Sequence, residues 1–154
     1  MIKILFVCLS NICRSPILQA ILQKKIDQKN LHSKLFVDSC GIGYWHIGSG
    51  ADPRAVKAAH KRGYDIDHTS KLFHTKFFQK FDYILAVDNE IKSSLKELAK
   101  TPKERSKILL ATDFTDELKG TEIPDPYLKD EVAFDKVIKI SEQISDSIIS
   151  KFGV

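Results

Sequence analysis

At 154 residues, with a hydrophobic fraction of 43% and a charged fraction of 29%, the chain has the composition of one globular domain rather than of a disordered segment. Its net charge of +4, from 24 Lys and Arg against 20 Asp and Glu, is spread without a long single-sign block. That balance suits anionic ligands, and the basic runs interleaved with aromatics that nucleic-acid binding uses are missing. Three cysteines argue against a secreted disulfide scaffold, and Lys3, Asn11 and Arg14 interrupt the apolar N-terminus, so it forms neither a signal-peptide core nor a membrane span. The expectation is a single domain over residues 1–154 in the reducing cytoplasm, with export by a signal-independent route left open.

The first apolar run, Ile2 to Cys8, reads as a strand, and Ser15-Pro16 as the N-cap and first residue of a helix. Ile17, Leu18, Ile21, Leu22 and Ile26 form that helix's buried stripe. Lys34 to Cys40 reads as a second strand, running into the Gly-rich loop from Gly41 to Gly48. Asp52-Pro53 repeats the N-cap and proline signal for a helix carrying Val56 and Ala59, which Gly63 stops. A third strand, Asp82 to Val87, ends at Asp88; the helix after it carries Ile91, Leu95 and Leu98 and closes at Thr101-Pro102. Lys107 to Leu110 is a fourth strand, and a long loop through Ile123-Pro124-Asp125-Pro126-Tyr127 precedes a last helix with Phe134, Val137, Ile140, Ile144 and Ile148 at helical spacing. Strands alternating with helical crossovers predict an α/β fold with a four-stranded parallel sheet, right-handed connections and helices on both faces. The ligand crevice of such a sheet lies beyond the strand C-termini, where Cys8, Ser39 and Asp88 fall.

Cys8 ends the first strand, and the first helix begins only after a tight polar turn that closes on Arg14. Turned backbone N–H groups, the positive end of the helix dipole and a guanidinium fork would surround one sulfur. Those groups favour the thiolate over the thiol and attract a phosphoryl dianion for the same reason. Arg14 can hold two equatorial oxygens at once, which the point charge of a lysine cannot. Asn11 tolerates the left-handed backbone that such a loop needs. Each has a plainer reading: a small packed thiol, a surface arginine at a helix start, a turn residue. Asp125, bracketed by Pro124 and Pro126, sits on a stiffened loop and is the candidate to protonate a leaving oxygen and then to activate water; alone it is an ordinary Asp-Pro turn.

The run Val7-Cys8-Leu9-Ser10-Asn11-Ile12-Cys13-Arg14-Ser15-Pro16, matched downstream by Asp125-Pro126-Tyr127, resembles the low-molecular-weight protein tyrosine phosphatases. A bare Cys-x5-Arg spacing arises by chance in many proteins; the conjunction with an N-terminal strand and a distant Asp-Pro is specific. The resemblance extends over essentially the whole chain, including Ser39-Cys40-Gly41, Trp45-His46, Asp52-Pro53-Arg54, His68 and Ala86-Val87-Asp88. It implies hydrolysis of phosphotyrosine through a phosphocysteine intermediate, without metal or organic cofactor. Cys8 would be the nucleophile, Arg14 the phosphoryl clamp and Asp125 the acid and then the base, with Leu9, Ser10, Asn11, Ile12, Cys13 and Ser15 as the phosphate-binding loop. Ser39 and His68 would orient Asn11, and Asp88 would support the site. Cys13 would form a reversible disulfide with Cys8, whereas Cys40 reads as buried and inert. Ile12, Tyr44, Trp45 and Tyr127 would wall a slot deep enough for a phosphotyrosine ring, with His46 an exposed loop residue. The implied partners are phosphotyrosine proteins and phosphate or other oxyanions, not nucleic acid or a membrane.

The sequence departs from the family pattern at Ser10, where glycine is usual, at Leu128, where an aromatic is common, and at Lys129, where glycine is usual. Serine at a positive φ would strain the loop, and Leu128 would remove one ring from the pocket rim. Two other readings stay open. Arsenate reductase would use a similar loop but needs further cysteines, and none follows Cys40. A binding module without catalysis is the other.

Overall fold

A computed structural model describes residues 1–154 and shows a parallel sheet in the order β2-β1-β3-β4, with helices on both faces. The strands are β1 (Ile2–Cys8), β2 (Leu35–Gly41), β3 (Tyr83–Ala86) and β4 (Ile108–Leu110). Cys8 pairs with Gly41 at the C-terminal end of the β1–β2 ladder, and Val7 pairs with Ala86 on the other side. Ile4, Leu5, Phe6 and Val7 are fully buried, as expected for the central strand of a sheet covered on two faces.

The helices are α1 (Arg14–Gln28), α2 (Pro53–Lys61), α3 (Phe77–Lys80), α4 (Asn89–Leu98), α5 (Pro102–Ser106) and α6 (Glu131–Phe152). The α1 stripe of Ile17, Leu18, Ile21, Leu22 and Ile26 is buried, each such side chain contributing about 1.5–3 kcal/mol relative to exposure. On α6 the buried face is Phe134, Val137, Ile138, Ser141, Ile144, Ser145 and Ile148, with Ile140 only partly covered. That face packs on α1, while α4 lies against β3 and β4.

Several element boundaries differ from the sequence reading. Ser15 is not the N-cap of α1. The helix begins at Arg14, with Cys13 at the cap position and no side-chain cap. β2 runs one residue further, to Gly41, because the chain at residues 71–73 extends the ladder there. Asp52 does cap α2, accepting from Arg54 N at 2.9 Å, and Gly63 follows its end at φ 86°; its buried residues are Ala55 and Ala59, whereas Val56 is half-buried. Thr101-Pro102 opens a new helix rather than only closing the previous one, since Thr101 Oγ1 accepts from Glu104 N at 3.1 Å. No helix is long and apolar enough to cross a membrane.

Candidate active site

The loop from Cys8 to Ser15 leaves β1 and enters α1 in a tight turn. Asn11 lies at φ 59°, in the left-handed region that an asparagine tolerates. Ser10 is not among the residues with positive φ, so the strain anticipated for a non-glycine residue there does not arise. The residue that must lack a side chain is instead Gly41, across the sheet: a Cβ there would sit 2.8 Å from Leu9 O and 3.0 Å from Asn11 N. The loop thus rests directly on the end of β2, with Ile42 N donating to Cys8 O at 3.0 Å and Gly43 N to Leu9 O at 2.7 Å.

Asn11 is fully buried and spends its side chain on holding the turn. Its Nδ2 donates to Ser15 Oγ at 2.8 Å and to Ser39 Oγ at 3.0 Å, while its Oδ1 accepts from Lys71 N at 3.0 Å. Its backbone carbonyl lies 2.8 Å from His68 Nε2 and accepts from Ser70 Oγ at 2.6 Å. Ser39 Oγ donates in turn to Gln19 Oε1 at 2.6 Å. Burial pulls the His68 pKa below its ordinary value of 6.5, against the opposing pull of the Asn11 carbonyl. Ser70, Lys71 and Gln19 carry no motif in the sequence. Ser70 and Lys71 reach Asn11 from the 68–73 segment, which is anchored by edge-to-face packing of Phe73 on Phe77 and Phe78, with centroids 5.7 and 5.2 Å apart, whereas Gln19 acts from α1 through Ser39.

Cys8 Sγ lies 2.8 Å from Ser15 Oγ and accepts from Asn11 N at 3.2 Å. Freed from capping, the Ser15 hydroxyl faces the sulfur. The N–H groups of Leu9, Ser10, Ile12 and Cys13 have no acceptor within the protein. Unpaired donors on the loop that carries Cys8, lining the same cleft, make a place suited to an anion.

Arg14 is 95% buried, its side chain only 5% exposed. Its Nη1 donates to Asp88 Oδ2 at 2.9 Å and to the Ile123 carbonyl at 2.8 Å, and Nη2 lies 3.8 Å from Asp125 Oδ2. Asp88 also caps α4, its Oδ1 accepting from Ile91 N at 2.8 Å, so one carboxylate ties the guanidinium to the junction of β3 and α4. Asp125 is about half exposed, with a side-chain accessibility of 48%, and its Oδ1 accepts from Tyr127 N at 3.1 Å in an Asx turn.

A cleft of about 260 Å³ opens over these groups, lined by Cys8, Leu9, Ser10, Ile12, Cys13, Arg14, Trp45, His46, Asp125 and Tyr127. Tyr44, expected as a wall, is outside this lining: it is 70% exposed and stacks on the outer side of Trp45 at 5.4 Å. His46, expected to be an exposed loop residue, is half-buried and lines the cleft. Leu128 is 88% exposed and stands outside it too. Cys13 is a free thiol, pushed up to about 12 first by burial and then by the charges of Asp52 and Cys8. Cys40 is fully buried beneath the loop. No group of three or more His, Cys, Asp or Glu side chains is placed to hold a metal ion.

A thiol at the end of a central parallel strand, on a loop of unpaired amides and beside a buried arginine, makes a site suited to an oxyanion on an α/β fold. Residues 3–152 match the family model of the low molecular weight phosphotyrosine protein phosphatases, and the chain belongs to that family. A Drosophila melanogaster enzyme of that name is 39% identical, over 81% of this chain and 79% of its own. The crystal structure of a protein tyrosine phosphatase from Entamoeba histolytica, with Hepes in its active site, superposes with a TM-score of 0.92 at 39% identity, covering 98% of this chain and 96% of that one. The Wzb protein of Vibrio vulnificus, solved with benzylphosphonate, superposes at 0.83 with 28% identity, covering 98% and 99%.

Proposed function

We propose that the chain hydrolyses phosphotyrosine in proteins, and aryl phosphate monoesters generally, by two displacements at phosphorus. The observation that carries this reading is the set of unpaired N–H donors on the Cys8 loop together with the Nε and Nη2 edge of Arg14, which makes no hydrogen bond within the protein and lies 3.8 Å from Asp125 Oδ2. These donors match the three equatorial oxygens of a transferring phosphoryl group, on which charge builds.

In the first step the Cys8 thiolate attacks phosphorus, the bond to the phenolic oxygen breaks, and Asp125 in its acid form gives that oxygen a proton. In the second, water attacks phosphorus, the carboxylate of Asp125 takes its proton, and the Cys8–phosphorus bond breaks. The Ser15 hydroxyl, 2.8 Å from the sulfur, can donate to the departing thiolate. Asp88 and the Ile123 carbonyl occupy Nη1 of Arg14, which leaves the opposite edge to face the ligand. Trp45 and Tyr127 form ring walls that suit a flat aryl group and leave a phosphoserine, with its shorter stem, away from the sulfur. Cys13 would close a disulfide on a Cys8 sulfenic acid formed by peroxide, releasing water. The three free thiols suit a reducing compartment such as the cytoplasm.

The test sets p-nitrophenyl phosphate, phosphotyrosine peptide, phosphoserine peptide and arsenate side by side on the wild type and on Cys8→Ser. The expected result is hydrolysis of the two aryl esters by the wild type alone. Hydrolysis that persists in Cys8→Ser, or arsenate reduction without ester hydrolysis, would overturn the assignment.

A further inference from the structure

The Asp125 loop is held by few bonds. Ile123 is fixed, donating to Val87 O at 2.9 Å and accepting from Arg14, and Asp130 is fixed as the N-cap of α6. Between them, residues 124–129 make hydrogen bonds only within the loop, from Tyr127 N to Asp125 Oδ1 and from Lys129 N to Pro126 O. Besides the 3.8 Å approach of Asp125 Oδ2 to Arg14 Nη2, the loop's lateral hold is a stack. The Arg54 guanidinium lies 5.4 Å from the centre of the Tyr127 ring and 4.9 Å from that of Phe134, which is fully buried on α6. Asp52 fixes the guanidinium by a fork, with Nε to Oδ1 at 3.1 Å and Nη2 to Oδ2 at 2.8 Å. Asp52 N in turn donates to Ile12 O, in the Cys8 loop, at 2.8 Å. A continuous path therefore runs from the Cys8 loop through Asp52 and Arg54 to Tyr127, and by the Asx turn to Asp125.

We propose that Arg54 is a positioning residue for proton delivery: it sets the place of the Asp125 carboxyl relative to Cys8 without touching the phosphoryl group. This rests on the hydrolytic reading above, and on Asp125 as its acid. Its signature is dependence on the leaving group. A nitrophenolate leaves with little help, whereas a phenolate of weak acidity needs the proton, and kcat/KM spans every step up to that departure.

The experiment measures kcat/KM for aryl phosphates whose phenols run from nitrophenol to phenol, on wild type, Arg54→Leu, Arg54→Lys and Asp125→Asn, with Ki for inorganic phosphate alongside. Arg54→Leu is expected to lose about tenfold more on phenyl phosphate than on the nitrophenyl ester, a slope steepened toward that of Asp125→Asn, with the phosphate Ki unchanged. Arg54→Lys keeps the charge without the fork and should fall between. An equal loss on all esters, or a lowered Tm with the wild-type slope, would overturn the proposal. If Arg54→Leu does not fold, Asp52→Asn carries the test, since its amide oxygen still caps α2 while the charged fork is lost; an unsteepened slope there would overturn the proposal equally. A wild type inert on every ester would instead sink the parent reading.

Discussion

At the scale of single residues, the cleft depends on side chains that are absent as much as on those present. A Cβ at Gly43 would lie 1.8 Å from Trp45 Cζ3 and 2.3 Å from its Cε3, so the indole that lines the cleft sits in the space a side chain there would fill. Gly43→Ala should therefore displace the ring wall and raise KM for aryl phosphates by about tenfold with a smaller effect on kcat, which steady-state kinetics would show. Asp125→Ala should lower turnover by roughly 10² to 10⁴, the usual range for a lost general acid and base; an unchanged rate constant would remove Asp125 from the mechanism. The Cys8 loop was legible because its parts are contiguous: a strand, a turn and a helix start within eight residues leave few ways to arrange the sulfur and the arginine. Ser15 was misread for the same local reason. Ser before Pro is a strong capping signal, but the sulfur and Asn11 engage the hydroxyl, and the helix starts one residue earlier without a side-chain cap.

At the scale of elements, three of the four strands deliver a part of the site near their C-terminal ends: Cys8 from β1, Ser39 from β2, and Asp88 just beyond β3. Hydrophobic periodicity found these elements because each has one or two buried faces, and it missed α3 and α5 because four or five residues make too little of a period to read. It also misjudged part of α6, where the buried stripe includes Ser141 and Ser145, whose hydroxyls have no hydrogen-bond partner in the protein. An unpaired buried hydroxyl is a net cost, so Ser141→Ala and Ser145→Ala should each stabilise the fold by about 1 kcal/mol, seen as a higher urea midpoint with an unchanged m-value. On α1 the opposite holds: Leu22→Ala removes a fully buried side chain and should cost about 2–5 kcal/mol by the same measurement.

For the whole molecule, the same burial that builds the site limits the pH range of the fold. Cys13 is pushed up to about 12, and burial pushes Cys40 well above its ordinary value of 9.0, so both stay protonated in the fold at pH values where the unfolded chain would ionise them. The unfolded state then binds fewer protons, and stability falls as pH rises from about 9 toward 12. His68 acts on the acid side. Its folded pKa is depressed, so its contribution is present above 6.5 and is lost as pH falls through the folded value. Urea midpoints taken from about pH 5 to about pH 10 should show both shoulders, with Cys13→Ala flattening the alkaline one.

The amino-acid sequence by itself determined the parallel α/β class and placed the Cys8 loop and the Asp125 candidate, because each is written in neighbouring residues or in a single periodicity. Only the tertiary structure decided that Tyr44 backs the indole while His46 lines the cleft. It alone joined Arg14 to Asp88 and the Ile123 carbonyl, and Arg54 to Tyr127. Those pairings lie between segments far apart in the chain, where geometry is set by how strands and helices pack and no local propensity records it.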